Sequence, residues 1–325
     1  MSEEKPAVPT ATSVHTLPML LTPAEAHQFD TLGYFIKRGA FTPEEVAVLH
    51  EALKRNEGKK PEELPSHCFP TYAYPEGNDY RIMNFLECDQ SFIHLIDHPE
   101  IIRVVDSVVR YPARLMLPSS ISRRKGPGCP LHSDRIARPR IKHGKIRTDF
   151  LTCLIALTDC GPDDGPLVVI AGSHKSEFGF PFNKIHPDWD LVERNEDLYR
   201  AAKVGSDEIR IRWEDIPGYQ ELHVKAGDII FFFESVVHGA KAITSDRTRR
   251  TLNLMYGPYW QGNINGIEYS EELLLRGNRR QVELLMGPFS GFRFECLDMS
   301  KYPPPYLFRL MPNRTDFHWK TDEEI

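Results

Sequence analysis

The sequence predicts an α+β protein with a mainly β core, because helical segments come first and short apolar strands follow. Two capped helices open the chain, and four later segments are rich in β-favouring residues and bounded by Gly, Pro and Asp. Together these observations favour a β-sandwich or barrel preceded by helices. The 325 residues suffice for one large domain or two ordinary ones.

Two helices are predicted near the N-terminus, in the segments LTPAEAHQFDTLGY and FTPEEVAVLHEALKR. Each begins with Thr-Pro and places a glutamate at the third helical position, Glu25 in the first and Glu45 in the second. This combination of N-cap threonine, first-turn proline and glutamate is a capping box. A short strand, YFIKRG, is expected between them, and a further helical segment covers 91–109 with a break at Pro99.

The second half of the chain carries four strand-like segments. Each is short and apolar and is bounded by turn residues. They are DFLTCLIALTD (149–159), PLVVIAGSH (166–174), ELHVKAGDIIFFFES (221–235) and RRTLNLMYGPY (249–259). The polar segment 175–220, between the second and the third of them, is predicted to be an insertion.

The chain is predicted to form a single domain after a flexible lead-in. The N-terminal apolar patch follows acidic residues and is interrupted by Pro18, which is atypical of a signal peptide. No run of 18 apolar residues is present to span a membrane, so a cytoplasmic location is expected. The predicted boundaries are 1–20 for the lead-in, 21–325 for the domain, 21–110 for its helical part, about 111–262 for the β core and 263–325 for a C-terminal arm.

Composition argues against several classes of partner. The formal net charge of −6 gives no reason to expect a nucleic acid or a membrane surface as partner. The six cysteines are scattered and form no Cys-x-x-Cys pair. In a chain of this size, that pattern indicates buried thiols in a reducing compartment, not a disulfide framework or a thiolate zinc site. The oligomeric state is not readable from the sequence.

A His-x-Asp pair is the first candidate for a metal site, and the chain has two: His132 with Asp134, and His186 with Asp188. Among 13 histidines one such match arises by chance, so the surrounding sequence has to separate them. Residues i and i+2 of a strand face the same side, so His132 and Asp134 can present a nitrogen and an oxygen to one point. Both atoms suit iron(II), manganese or zinc. The second pair lies in the polar insertion and is the weaker candidate.

His238 is the candidate third ligand. It lies in AGDIIFFFESVVHGA, where a turn precedes an apolar strand that is predicted to end at His238. A histidine there is more often a hydrogen-bonded core residue than a metal ligand. Arg249, at the start of the next strand, favours the ligand interpretation. An arginine at that position can reach back beside the metal and bind a carboxylate through two hydrogen bonds. Two histidines and one carboxylate on one face of a metal form the arrangement of non-haem iron(II) oxygenases.

Four motifs, taken in this order, resemble the phytanoyl-CoA dioxygenase family of iron(II)/2-oxoglutarate oxygenases. They are HSD, LTDCGPDDGPLVVIAGSH, AGDIIFFFESVVHGA and SDRTRR. The second has AGSH where the family has PGSH, and the N-terminal GYFIKRGAFTPEEVAVL matches the family's opening strand and helix. The resemblance covers residues 27–260 and is most specific in 131–174 and 225–250.

The resemblance implies a double-stranded β-helix, or jelly-roll, core that binds iron(II) through His132, Asp134 and His238. 2-Oxoglutarate and O2 are the implied cosubstrates. The family's arginine that binds the distal carboxylate of 2-oxoglutarate falls on Arg249, although strand alternation alone does not choose between it and Arg250.

The resemblance implies three further cosubstrate contacts. Arg81, in NDYRIMNF, matches the place of a basic residue near the cosubstrate in relatives, and Thr152 and Leu154 lie on the strand after the first ligands. The chain departs from the family at Ala240, where relatives often carry a serine, so a hydroxyl contact is expected to be missing. This departure removes no predicted metal ligand.

Basic residues bracket the first ligand pair. They are consistent either with a mouth that attracts an anionic substrate or with a solvated, salt-bridged loop. Arg135 and Arg138 lie closest to the pair along the chain and are the candidate substrate contacts. The expected partner is therefore a small molecule, anionic under the first interpretation, and its identity is not readable.

The implied activity is hydroxylation of an unactivated C–H bond of a small organic substrate, with release of succinate and CO2. Two other interpretations stay open: another metal-dependent cupin-type enzyme, such as an isomerase or a hydrolase, and a non-catalytic ligand-binding jelly-roll protein. Arg249 disfavours the first, because those chemistries need no anchor for 2-oxoglutarate. Candidates for all three ligands disfavour the second.

Overall fold

The computed structural model describes most of the predicted domain: residues 21–71, 78–109, 112–133, 140–142, 145–147, 150–175, 212–259 and 263–287. Several predictions fall elsewhere. The lead-in 1–20, most of the insertion 175–220 and the C-terminal arm beyond 287 lie outside the described residues.

Both capped helices form where the sequence predicts them. Helix α1 spans Pro23–Leu32, helix α2 spans Pro43–Lys54, and strand β1, Tyr34–Lys37, lies between them. In each helix the N-cap threonine accepts a hydrogen bond from the third helical N–H, and the glutamate there accepts one from the N-cap N–H. Two of the N–H groups that a helix start leaves unpaired are thereby satisfied within the segment itself.

The third helical segment is interrupted at the predicted proline. A 3-10 helix covers Gln90–Leu95, and α3 covers Pro99–Val108 with Pro99 at its first position. Two short helices that the sequence did not predict, α4 (Glu271–Arg276) and α5 (Arg279–Met286), follow the last strand. None of the helices described has the length and hydrophobicity needed to cross a membrane.

The remaining strands build two main antiparallel sheets. In chain order they are β2 (Phe69–Thr71), β3 (Asp79–Met83), β4 (Ala113–Arg123), β5 (Cys129–His132), β6 (Arg140–Lys142), β7 (Lys145–Arg147), β8 (Leu151–Ala156), β9 (Leu167–Ile170), β10 (Tyr219–Leu222), β11 (Ile229–Phe233), β12 (His238–Ala240) and β13 (Arg249–Pro258). The larger sheet has the order β1-β11-β8-β13-β4-β3-β2, and the smaller sheet has the order β10-β9-β12-β5. Strands β6 and β7 pair only with each other in the described chain. Helices followed by a mainly β core is the order that the sequence predicts.

Two details of the predicted strands are wrong. The segment 221–235 forms two strands in different sheets, β10 and β11, separated by a turn at Gly227 with φ 93°. A Cβ there would lie 2.7 Å from the carbonyl oxygen of Phe41, so the close approach of two backbones requires glycine. The apolar strand that was predicted to end at His238 ends at Phe233, and His238 begins a separate strand in the smaller sheet.

The two faces of the larger sheet have different functions. Along β13, Leu252, Leu254 and Tyr256 point into the hydrophobic core. Helix α3 packs against β8, and α5 against β4. The alternate residues Asn253 and Met255 line a cavity instead. Because side chains of a strand alternate between faces, one face packs against the helices and the other is left for a site.

Candidate functional site

The two histidines of the predicted metal site face each other across adjacent strands. His132 ends β5 and His238 begins β12, and the two are direct cross-strand partners in the smaller sheet. Their ring centroids are 4.4 Å apart. Residues 106 apart in the sequence are therefore brought together by the pairing of two short strands.

Backbone contacts fix the tautomer of both rings. The Nδ1 atom of His132 lies 2.8 Å from the carbonyl oxygen of Pro130, and Nδ1 of His238 lies 2.8 Å from that of Val236. A carbonyl oxygen only accepts, so Nδ1 carries the hydrogen in each ring and the Nε2 of the neutral ring carries a lone pair. Metal-binding histidines are commonly oriented in this way, by donating the other ring N–H to a carbonyl.

The predicted third ligand, Asp134, lies outside the described residues. The candidate substrate contacts Arg135 and Arg138 and the second His-x-Asp pair, at 186 and 188, lie outside them as well. Within the part of the chain that is described, no three His, Cys, Asp or Glu side chains are grouped as a metal site. Two imidazoles that face each other at this distance nevertheless suit a divalent metal such as iron, manganese or zinc. The two described members of the predicted set of three ligands thus fit a metal, and Asp134 as a ligand stays a prediction.

The histidine pair opens into a cavity of about 320 Å³ between the two sheets. All four residues predicted to contact a cosubstrate line this same cavity: Arg81, Thr152, Leu154 and Arg249. The walls also contain apolar side chains from the larger sheet, among them Met83, Leu117, Ile121, Phe232 and Met255. The volume falls at the lower end of the range typical of small-molecule sites.

Arg249 and Arg250 point in opposite directions. Arg249 is buried, lines the cavity and donates a hydrogen bond to the carbonyl oxygen of Gly165. Burial, and secondly the charge of Arg123, lower the pKa of Arg249 to about 10, so it is still protonated at neutral pH. Arg250 lies on the other face of β13, where its Nε is 2.7 Å from a carboxylate oxygen of Glu57. Of the two adjacent arginines, Arg249 is therefore the one that lines the cavity.

Arg81 enters the cavity together with an acidic partner. Its guanidinium lies 2.9 Å from the carboxylate of Asp79, which is almost completely buried. The two residues are i and i+2 on β3, so both side chains point to the cavity face of the sheet. The pair adds no net charge to this end of the cavity.

The cavity contains two charged residues, Arg123 and Glu234, whose place the sequence did not indicate, although Arg123 is one of the basic residues that bracket the first ligand pair. Arg123 ends β4, a strand that was not predicted because Pro118 and three serines obscure its apolar residues. Glu234 follows the aromatic run of β11 and is 4% exposed. A carboxylate directly after a buried strand was the available signal, since charged residues are rarely buried without a partner.

The hydroxyl of Thr152 donates a hydrogen bond to the buried carboxylate of Glu234. Thr152→Val is expected to lower the free energy of unfolding by about 1–3 kcal/mol, because it removes a donor from a buried charged acceptor. Thr251→Val is the matched control, since the buried Thr251 hydroxyl has no hydrogen-bond partner in the described structure. Urea unfolding of both variants measures the difference, and equal losses would contradict the assignment.

Gly239 permits the close pairing of the two strands that carry the histidines. A Cβ at this position would lie 2.7 Å from the carbonyl oxygen of Cys129 and 3.1 Å from that of Pro130. Gly239→Ala is therefore expected to displace β12 from β5, to lower stability by about 1–3 kcal/mol and to weaken metal binding. Titration of Mn²⁺ into the metal-free protein measures the second effect.

Gly161→Ala is the control for this experiment. A Cβ there would meet only a side-chain oxygen of Asp164 at 3.5 Å, an ordinary contact distance. Metal binding equal to that of wild type in Gly239→Ala would show that the separation of the two strands does not set the histidine geometry.

Comparison with solved structures identifies the class of fold. HygX from Streptomyces hygroscopicus, solved with nickel and 2-oxoglutarate bound, is 21% identical with a TM-score of 0.57, over 75% of this chain and 89% of that one. The α-ketoglutarate-dependent carbocyclase SnoK is 19% identical, with a TM-score of 0.53 over 75% and 88% of the two chains. The epimerase SnoN is 20% identical, with a TM-score of 0.51 over 72% of this chain and 82% of that one. The likeness confirms the predicted double-stranded β-helix fold of 2-oxoglutarate oxygenases.

The chain belongs to the phytanoyl-CoA dioxygenase family, whose sequence model matches residues 29–251. The matched interval contains His132, Asp134, His238 and Arg249. No curated protein sequence matches the chain significantly. The resemblance drawn from the four motifs is thereby confirmed. The predicted set of iron(II), 2-oxoglutarate and O2 is the set that this family of oxygenases uses.

Proposed function

We propose that the protein is an iron(II)/2-oxoglutarate-dependent dioxygenase that hydroxylates an unactivated C–H bond of a small organic substrate. The observation that carries the proposal is the placement of the facing pair His132 and His238 in one cavity with the buried Arg249. Membership of the phytanoyl-CoA dioxygenase family supports it. It also disfavours a cupin-type isomerase or hydrolase and a non-catalytic binding protein.

The metal would be held by His132, His238 and Asp134. When bound, iron(II) with 2-oxoglutarate and O2 supplies the oxidising power: one oxygen atom enters the substrate C–H bond, the other enters succinate, and CO2 is released. The two backbone carbonyls that accept from the Nδ1 atoms keep each imidazole in the ligating tautomer.

The cavity walls would bind and orient the organic reactants. Arg249 is proposed to bind the distal carboxylate of 2-oxoglutarate, because a planar guanidinium matches a carboxylate with two parallel hydrogen bonds. Thr152 and Leu154, from the neighbouring strand β8, would contact the cosubstrate from the side. The apolar walls exclude water, which strengthens each of these charged contacts.

The substrate is proposed to be a small molecule with polar groups. A related structure, HygX, has been solved with hygromycin B bound. In the present cavity, Ser119, Asn253 and Glu234 line the wall beside the apolar side chains. A mixed wall of this kind favours a substrate that offers hydroxyl or amino groups. An anionic substrate bound by Arg135 and Arg138 stays a second proposal, since it rests on residues outside the described chain.

A different outcome at the same C–H bond is the second candidate function. Two proteins with the same fold are an epimerase and a carbocyclase, SnoN and SnoK. An epimerisation changes only the configuration at a carbon atom, and a carbocyclisation forms a carbon–carbon bond with loss of two hydrogen atoms, so neither reaction leaves a new oxygen atom in the substrate. Reaction in 18O-labelled O2 separates the outcomes, because succinate takes up label in every case but only hydroxylation puts label into the product formed from the substrate.

The test of the proposed function needs no known substrate. Metal-free protein is given Fe(II), 2-oxoglutarate and O2, and succinate is measured over time. Slow succinate release that depends on Fe(II) and is lost in Asp134→Ala is expected. The same release from Asp134→Ala would overturn the ligand assignment. A hydrolytic activity with Zn²⁺ and without 2-oxoglutarate would favour the cupin-type alternative.

A further inference from the structure

Arg123 is a second buried arginine in the cavity, and it stands directly beside Arg249. It is the last residue of β4, and its Cα partner in the antiparallel pairing with β13 is Arg249. Arg123 is 3% exposed and Arg249 is 7% exposed, and both line the cavity. Two guanidinium groups thus enter the same end of the cavity from adjacent strands.

Neither arginine has a carboxylate partner in the described part of the chain. Arg123 donates from Nη2 to the carbonyl oxygen of Pro127 at 2.5 Å, and Arg249 donates to that of Gly165. The Nη1 of Arg123 and the Nε of Arg249 are buried, and no described group accepts a hydrogen bond from them. Asp79, the residue opposite Arg123 on β3, forms its ion pair with Arg81. The charge of Asp79 also acts on Arg249, but its carboxylate is already paired with Arg81.

Such an arrangement is unfavourable without an anion. Two like charges on adjacent strands repel strongly where water is excluded, and a buried N–H without an acceptor costs further free energy. Proteins rarely keep an unpaired charge buried unless a ligand uses it. Backbone carbonyls satisfy one N–H group of each arginine but compensate no charge. A carboxylate placed between the two guanidinium groups would satisfy the remaining donors and neutralise half of the charge.

We propose that Arg123 and Arg249 together bind the distal carboxylate of 2-oxoglutarate, with one arginine on each side. The inference rests on the proposed function. It adds a second arginine to Arg249, the one arginine that the family resemblance assigns to this carboxylate. Arg123 contributes on this view through its buried Nη1 group, which has no acceptor in the described structure, while its hydrogen bond to Pro127 holds the side chain in place.

The test compares two ligands that differ only in the distal group. 2-Oxoglutarate carries a carboxylate at that end, and 2-oxopentanoate carries a methyl group. Their dissociation constants are measured by calorimetry on the Mn²⁺-loaded protein, which needs no turnover. Arg123→Gln is expected to raise the dissociation constant of 2-oxoglutarate by about 10- to 100-fold, which is the usual effect of losing a hydrogen bond to a charged group. Its affinity for 2-oxopentanoate should not change.

Three further variants make the result specific. Arg249→Gln should show the same selective loss. Arg123→Lys keeps the charge but loses the planar guanidinium, so its affinity for 2-oxoglutarate should lie between those of wild type and Arg123→Gln. Arg124→Gln is the matched control, because the Arg124 side chain is 65% exposed and contacts Glu57. Without ligand, Arg123→Gln should unfold at the same or a higher temperature than wild type, because one of two repelling charges is gone.

The possible failures are distinguishable. If wild-type protein does not bind 2-oxoglutarate, the proposed function fails and this inference fails with it. If Arg249→Gln loses affinity but Arg123→Gln does not, only the inference on Arg123 is overturned. An equal loss for both ligands in Arg123→Gln would also overturn it, since the effect would then not concern the distal carboxylate. A third result would also overturn the inference. If ligand-free Arg123→Gln unfolds at a lower temperature than wild type, and if Arg123→Lys restores the stability but not the affinity for 2-oxoglutarate, then the role of Arg123 is structural.

Discussion

His238→Ala is expected to abolish both metal binding and the release of succinate from 2-oxoglutarate. His238 supplies one of the two imidazoles that face each other between β5 and β12. Loss of a residue that only orients a metal ligand already costs about 10- to 100-fold in metal affinity or activity. Loss of the ligand itself should therefore cost more than about 100-fold. Mn²⁺ bound per chain after desalting, and succinate formed with Fe(II), are the two measurements.

Two histidine variants serve as controls. His223→Ala changes a surface histidine that contacts Glu221, and its metal content should equal that of wild type. His186→Ala tests the other His-x-Asp match of the sequence and should also leave metal binding unchanged. An inactive His186→Ala together with an active His132→Ala would move the site to the second pair and overturn the ligand assignment.

The parts of the fold that could be predicted from sequence are those whose determinants are local. The capping boxes at Glu25 and Glu45 use atoms three residues apart, so both helices begin where the pattern indicates. The apolar runs of β8, β9 and β13 were also recognised, because fully buried strands contain few polar residues.

Elements that depend on distant partners were not predictable in the same way. Strand β4 carries Pro118 and three serines and is held by pairing with β3 and β13 on its two sides. The serines at 119, 120 and 122 are buried even so. Such a strand is stabilised by the sheet around it more than by its own composition. For this reason Arg123 was grouped only with the basic residues around the first ligand pair and was not predicted to line the cavity.

The site shows the same division. The sequence indicates which residue types can bind a metal, but only strand pairing brings His132 opposite His238. Glu234 lies within the segment 221–235 that was predicted as strand, whereas the chain leaves the larger sheet at that point and enters the smaller one four residues later. The residue at such a crossing can point into the space between the sheets. Charged residues at the ends of buried strands are therefore useful candidates in a fold of two facing sheets.

Arg249→Gln and Arg250→Gln are expected to have separate effects, although the two residues are neighbours. Arg249 lines the cavity and is proposed to anchor 2-oxoglutarate, so its replacement should raise the KM for 2-oxoglutarate by about 10- to 100-fold or more. Arg250 pairs with Glu57, whose side chain is 8% exposed, on the opposite face of the strand. Its replacement leaves that carboxylate with fewer partners and should lower stability by about 1–3 kcal/mol.

The prediction is checked by measuring both quantities on both variants. Succinate formation as a function of 2-oxoglutarate concentration gives the KM, and urea unfolding gives the stability. Because strand residues alternate between faces, an exchange of the two results would mean that β13 is shifted by one residue in its pairing with β4 and β8. Such a shift would turn Leu252 and Leu254 out of the core and into the cavity, so an unchanged stability of Arg250→Gln with a raised KM would contradict the fold as well as the site.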